Sequence, residues 1–193
     1  MKIHPLVKEV LYTREEIAAK CKELAVAVNQ YYHANSQDNK DNTVICLGLL
    51  KGCIPFMAML LLDLEIEVET EYMTVSSYAG GVAGNLNPEI MFDLVADVED
   101  RDVLLVEDII DSGKTIKLVK DYLLDKGARS VKVVTLLDKK SGRKVDLAAD
   151  WYGFDVPAAF LIGFGLDYEE RLRNLPYVAI ADVEKIKAWT WEK

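Results

Sequence analysis

The sequence predicts an α/β fold with a central, mainly parallel β-sheet flanked by helices. Three observations carry that prediction. Short continuous apolar runs, among them Thr43 to Leu49 and Val103 to Val106, have the composition of strands covered on both faces. Segments of helical period alternate with them, as in Ile17, Cys21, Leu24, Ala25 and Val28. Charged and glycine-containing turns follow two of the runs, at Lys51-Gly52 and at Asp111-Ser112-Gly113. Open α/β sheets bind ligands outside the carboxyl ends of their strands, where such turns lie.

Taken in order, the chain begins with Thr13 and Glu16 in the spacing of a capping box, which starts the first amphipathic helix. The polar stretch Asn35 to Asn42 ends that helix, and Thr43 to Leu49 is the first core strand. Lys51-Gly52 turns the chain into a helix from about Pro55 to Leu62, with proline in the first turn, where its missing N–H costs nothing. Glu65 to Met73 alternates, with Ile66, Val68, Thr70 and Tyr72 on one side, as a half-buried strand does. From Ser76 to Pro88 the pattern breaks into a long glycine-rich loop, and long loops without structure of their own are lids or disorder. A helix is expected over 113–126, stopped by Gly127, then a strand from Ser130 to Leu137 with Lys139 just past its end. Trp151 to Phe154, Ala159 to Ile162 and Tyr177 to Ala181 read as further short strands.

Composition narrows the function. At 193 residues the chain has the size of a single domain, expected to span 1–193. Hydrophobic residues make up 51% and charged residues 28%, ordinary values for a globular protein. A formal charge of -9 disfavours a nucleic-acid surface, which needs clustered Lys and Arg, but leaves room for a local site for a phosphorylated ligand. Cys21, Cys46 and Cys53 form no C-x-x-C pair and read as reduced residues of a cytoplasmic protein. With only His4 and His33, both before the core, a Ser-His-Asp triad or a histidine zinc site is not expected. Met1 to Pro5 does not open a signal peptide, and the apolar run Ile54 to Leu62 is too short to span a membrane, so no membrane partner is expected.

The chemistry is expected in Val103 to Thr115, VLLVEDIIDSGKT. Glu107, Asp108 and Asp111 follow the apolar run at once, and like charges so close cost energy unless cations offset them. Ser112, Gly113, Lys114 and Thr115 then supply hydroxyls, a flexible glycine and free amides at a helix start, which suit a phosphate. An acidic cluster after a strand is also what a solvated loop looks like. A P-loop is rejected because Asp108 stands where its first glycine would be. Gly163-Phe164-Gly165 is likewise discounted as a dinucleotide fingerprint, since Tyr168 replaces the third glycine.

The segment resembles the phosphoribosyl-pyrophosphate motif of type I phosphoribosyltransferases, in the form carried by hypoxanthine-guanine phosphoribosyltransferases. Lys51-Gly52, Ser77-Tyr78, Lys139, Phe160 and the run Gly163 to Arg173 stand in the order and approximate spacing of that family. The resemblance implies a small hood, made by the N- and C-terminal parts, over the sheet. It implies transfer of the 5-phosphoribosyl group from phosphoribosyl pyrophosphate to a 6-oxopurine, with magnesium as cofactor and a homodimer or homotetramer as the assembly. Glu107 and Asp108 would hold the ribose hydroxyls, and Asp111 to Thr115 the 5-phosphate. Asp111 would also take the purine proton. By itself Lys51-Gly52 reads as a strand-to-helix turn; the resemblance gives it a cis peptide that faces the pyrophosphate. Ser77 and Tyr78 would close over the leaving group. Lys139 would meet the purine 6-oxo group, Phe160 would stack on the ring, and Leu161, where valine is common, would wall the pocket. On residues alone Phe160 is a core aromatic, Asp167 a loop acid and Arg173 a surface charge. By resemblance Asp167 lies beside the purine and binds magnesium, with Glu107 and Asp108 as further metal-binding residues, and Arg173 anchors the pyrophosphate. A regulatory protein that keeps the fold and binds the sugar phosphate without catalysis is the alternative. It would be expected to lose the base-side residues. Lys139, Phe160 and Asp167 are all present. The tail through Trp189 and Trp191 has no counterpart in the family pattern.

Overall fold

The computed structural model describes residues 2–35, 42–77 and 88–191. Its centre is a six-stranded sheet in the order β4-β3-β2-β5-β6-β7. The strands are β2 (Val44–Leu50), β3 (Val68–Ser77), β4 (Pro88–Phe92), β5 (Asp102–Ile110), β6 (Ser130–Asp138) and β7 (Trp151–Asp155). All neighbours pair in parallel except β4, which runs antiparallel to β3 along one edge. Pro88 opens β4, a position tolerated on an edge strand because no ladder N–H is needed there.

Helices cover both faces. Helices α1 (Arg14–Asn35) and α2 (Ile54–Leu61) lie on one side and α3 (Lys114–Asp125) on the other. The alternation of strand side chains explains how a continuous apolar run serves both. On β5, Leu104 and Val106 join Ile17, Leu24, Val28, Phe56 and Leu60 beneath α1 and α2. Val103 and Leu105 join Ile45, Leu47, Ile116, Val119 and Leu123 beneath α3. The capping box forms: the Thr13 N–H donates to Glu16 Oε2 at 2.8 Å and the Glu16 N–H to Thr13 Oγ1 at 3.3 Å. The Thr13 backbone bond holds the Glu16 carboxyl below its usual range.

A second, three-stranded antiparallel sheet has the order β1-β9-β8, from β1 (Val7–Tyr12), β8 (Leu161–Ile162) and β9 (Val178–Ala181). It is the hood, with its own small core of Leu6, Ile162, Leu172, Tyr177, Ala179 and Ile186. Helix α4 (Val183–Ala188) follows β9, capped by the Asp182 side chain.

Several expectations need correction. The strand bearing the central motif does not end at Val106. It runs on to Ile110, so Glu107 and Asp108 are strand residues and only 111–113 separate β5 from α3. The third strand starts at Val68 instead of Glu65. Its buried residue is Met73, on the face opposite to Thr70 and Tyr72, which are exposed at the strand's far half. The strand of 159–162 shrinks to Leu161–Ile162. The segment 76–88 is no continuous loop, since Ser76 and Ser77 pair with Glu89 and Pro88. The expected lid, including Tyr78, otherwise lies outside the described residues. The cis peptide is Leu50-Lys51, one bond earlier than expected.

Candidate active site

Three adjacent parallel strands, β2, β5 and β6, end at one edge, and their next residues form the floor of the site. Lys51 follows β2, Asp111 follows β5 and Lys139 follows β6. The Lys139 N–H donates to the Ile110 carbonyl at 3.0 Å, so the β6 end is bonded to the β5 end. The Lys139 ammonium donates to Asp111 Oδ2 at 2.9 Å.

Beyond Asp111, Gly113 adopts φ 78°, a left-handed turn that only glycine takes without strain, and α3 starts at once. The Lys114 N–H donates to Ser112 Oγ at 3.3 Å. Glu107, Asp111, Ser112, Gly113 and Thr115 line an open cavity of about 210 Å³ at this turn. That space, faced by a helix N-terminus, suits a phosphate group.

Glu107 and Asp108 sit side by side on β5. Burial is the main cause that pushes the Glu107 carboxyl well above its ordinary range, and the Asp108 charge adds to it. Burial also raises Asp108, against the opposing pull of its own hydrogen bonds and the Arg173 charge. Asp108 Oδ1 accepts from the Ile109 N–H at 2.7 Å. Two carboxyls held in this way are placed to accept hydrogen bonds from sugar hydroxyls or to meet a cation.

Asp108 also fixes the neighbouring turn. A Cβ at Gly52 would overlap the Asp108 carboxylate, and one at Gly165 would overlap the Gly52 carbonyl. The hood therefore seats on the Lys51-Gly52 turn through bare backbone. We expect Gly52→Ala to destabilise the fold by about 1–3 kcal/mol, the usual range for overpacking a filled site. Chemical denaturation measures it, and a midpoint unchanged from the wild type would refute the close contact.

The hood contributes a charged loop. Arg173 donates to the Gly165 carbonyl at 2.8 Å and pairs with Asp167 at 3.0 Å and Glu170 at 3.3 Å. Glu170 reaches across to Lys51 at 2.8 Å, a bond that is the main cause of its lowered pKa. The two cations expected at the pyrophosphate are thus joined through one carboxylate. Phe160 is 45% exposed, with one edge toward Tyr168, and its ring is open to a ligand. Leu161 does not share that exposure. Its side chain is buried in the core under α1 and α2.

Ser77 ends β3, and Tyr78 lies beyond the described residues. Among the described residues no three metal-ligating side chains converge, so Glu107, Asp108 and Asp167 do not form one cage. Magnesium does not require one, since it is commonly held by one or two carboxylates with substrate phosphates and water.

Two residues escaped the sequence reading. A Cβ at Gly142, in a short 3₁₀ turn over Lys140–Gly142, would overlap the Asp111 carboxylate. The Lys144 N–H donates to the Ser112 carbonyl at 2.9 Å, so this turn packs on the phosphate loop. Glu170, the bridging acid, is the second. Gly142 had a turn signal in Ser141-Gly142 just after Lys139, whereas nothing local distinguishes Glu170 from Glu169.

A parallel sheet with a carboxylate pair and a phosphate-shaped turn at its carboxyl edge, under a hood built from both ends of the chain, defines a phosphoribosyltransferase. The phosphoribosyl transferase domain family matches residues 9–169. The hypoxanthine-guanine phosphoribosyltransferase of Bacillus subtilis is 44% identical over 174 residues, covering 90% of this chain and 93% of that protein. A crystal structure of a hypoxanthine phosphoribosyltransferase from Staphylococcus aureus superposes with a TM-score of 0.85 at 38% identity, covering 94% of this chain and 95% of that one. The hypoxanthine phosphoribosyltransferase of Trypanosoma cruzi in complex with the product IMP gives 0.86 at 31% identity, covering 95% and 99%. The chain belongs to the hypoxanthine-guanine phosphoribosyltransferase family.

Proposed function

We propose that the protein transfers the 5-phosphoribosyl group of phosphoribosyl pyrophosphate to hypoxanthine or guanine, giving the nucleotide and pyrophosphate in purine salvage. The observation that carries this reading is the cavity of about 210 Å³ where Glu107 and the Asp111–Thr115 turn meet, with Lys139 beside it. Relatives at 41–44% identity bear the same activity in their names.

In this reading the 5-phosphate sits on the amides and hydroxyls of Ser112, Gly113, Lys114 and Thr115. Glu107 and Asp108 bind the ribose hydroxyls. Lys51, Gly52 and Arg173 face the pyrophosphate, and Glu170 releases both cations as the stronger anion arrives. Lys139 donates to the 6-oxo group, and Phe160 stacks on the ring. The bond from C1′ to a purine nitrogen forms as the bond from C1′ to pyrophosphate breaks, and the electron pair departs with pyrophosphate. Positive charge grows on the sugar meanwhile, and the carboxylates beneath it stabilise that charge. Asp111 takes the proton that the purine nitrogen loses.

Magnesium held by Asp167 or by the Glu107-Asp108 pair, in either case with substrate oxygens completing the shell, would supply charge neutralisation of the leaving pyrophosphate. Excess chelator should abolish turnover; full activity in its presence would sink this role. The whole chain is taken as one domain that assembles as a homodimer or homotetramer. Three buried free cysteines suit a reducing, cytoplasmic setting. Among the described residues no helix is long and apolar enough to cross a membrane. The regulatory alternative is not favoured, because Lys139, Phe160 and Asp167 are retained. A steady-state assay with phosphoribosyl pyrophosphate, magnesium and each purine in turn tests the proposal. Absence of nucleotide product from every 6-oxopurine would overturn it.

A further inference from the structure

The hood loop that carries Asp167, Glu170 and Arg173 has a costly backbone. Tyr168 and Arg171 exchange two hydrogen bonds of 3.0 Å, closing a two-residue turn. Both central residues are left-handed, Glu169 at φ 51° and Glu170 at φ 63°, and Leu172 follows at φ 71°. Such a turn is ordinarily built from Asn and Gly. A pair of glutamates there costs conformational energy and persists only when its surroundings hold it.

Glu170 is held by Lys51 and Arg173 and by Asp167, whose Oδ2 accepts from the Glu170 N–H at 2.9 Å; the rest of the turn is held by the C-terminal tail. The Trp191 indole N–H donates to Glu169 Oε2 at 3.0 Å, so the first left-handed residue is tied by its side chain. The Arg171 guanidinium lies 4.6 Å from the Trp191 ring centre, a cation–π contact at the end of the turn. The Tyr168 ring sits 6.3 Å from Trp191 and meets Phe160 edge-on at 6.2 Å and 90°. Trp191 is backed in turn by Trp189 at 6.0 Å, and Trp189 by His4 at 5.8 Å. An aromatic row thus leads from the tail to the half-exposed ring of Phe160.

We propose that Trp191 is a positioning residue for the purine side of the site, bracing the 168–171 turn and, through Tyr168, fixing the Phe160 ring against which the base stacks. This rests on the proposed function, because it needs a purine on Phe160. The turn touches the phosphoribosyl pyrophosphate side only through Glu170, which joins Lys51 and Arg173, and the arriving pyrophosphate displaces that bridge, so that side is affected far less.

The experiment measures KM for hypoxanthine and for phosphoribosyl pyrophosphate, and Kd for IMP, in the full chain with Trp191→Ala and Trp191→Phe. Melting temperature and size-exclusion elution serve as controls of fold and assembly. Aromatic contacts of this kind predict a rise in purine KM and in IMP Kd of about five- to tenfold in Trp191→Ala. Trp191→Phe keeps a ring against Tyr168 and Arg171 and loses only the bond to Glu169, so it should recover most of that loss. KM for phosphoribosyl pyrophosphate should stay within about twofold in both. Purine KM unchanged in both variants, or an equal rise for the two substrates, overturns the inference. If Trp191→Ala does not fold, Trp191→Phe decides, with a rise of about two- to threefold confined to the purine expected and no rise overturning the proposal. A wild-type protein inactive with every 6-oxopurine would instead overturn the function on which the inference rests.

Discussion

Asp111→Asn should lower kcat by about two to four orders of magnitude, the usual contribution of a positioned proton acceptor, while leaving the fold intact. Asparagine keeps the shape of aspartate, so the contact with Gly142 survives. What disappears is the acceptor for the purine proton and the charge that holds Lys139 at 2.9 Å. Half of the Asp111 side chain is exposed, and an ion pair of that exposure contributes roughly 0–1 kcal/mol to stability, so the melting temperature should barely move. A fall in kcat and kcat/KM together, with KM for phosphoribosyl pyrophosphate nearly unchanged, marks an interaction made only in the transition state. Turnover within a factor of about ten of the wild type would remove Asp111 from the general-base role.

Lys139→Ala should raise KM for hypoxanthine and guanine and relax discrimination against adenine. The ammonium donates, and a 6-oxo group accepts. The adenine amino group is a donor, so it leaves the ammonium unpaired. Sites that require a polar partner reject a mismatched analogue by factors on the order of 10⁴, so the specificity ratio is the sensitive readout. The same substitution frees Asp111 from its partner. A double-mutant cycle with Asp111→Asn separates the two consequences, because residues in direct contact show coupling that independent ones do not. If Lys139→Ala weakened only phosphoribosyl pyrophosphate and left purine preference intact, Lys139 would belong to the phosphate side.

Asp111 and Lys139 differ from the rest of the site in how much of their setting is local in sequence. Asp111 is legible because its neighbours are local in sequence: an apolar strand before it, a glycine two residues on, an amphipathic helix after. Local order of that kind predicts β2, β5, β6, α1, α2 and α3. The hood strand β1 escaped because period-2 alternation is its only local signal, and two register irregularities, between Val7 and Glu9 and between Val10 and Tyr12, break it. Its partner β9 is contributed from the far end of the chain. The end of β5 was misplaced for a related reason. Carboxylates normally stop a buried strand, but Glu107 and Asp108 stay within β5 because its pairing with β6 continues to Ile110↔Asp138.

What the sequence determined by itself is therefore the alternation of strand and helix, the carboxylate and phosphate-turn motif, and through resemblance the family. Those depend on periodicity and on residues adjacent in the chain. Tertiary structure alone decided which distant groups face one another. Glu170 bridges Lys51 and Arg173, Gly142 makes room for Asp111, Leu161 turns into the core, and Trp191 reaches Tyr168 and Glu169. Apart from the turn signal at Ser141-Gly142, none of these has a local signature, because packing brings together residues whose separation along the chain carries no information about their contact.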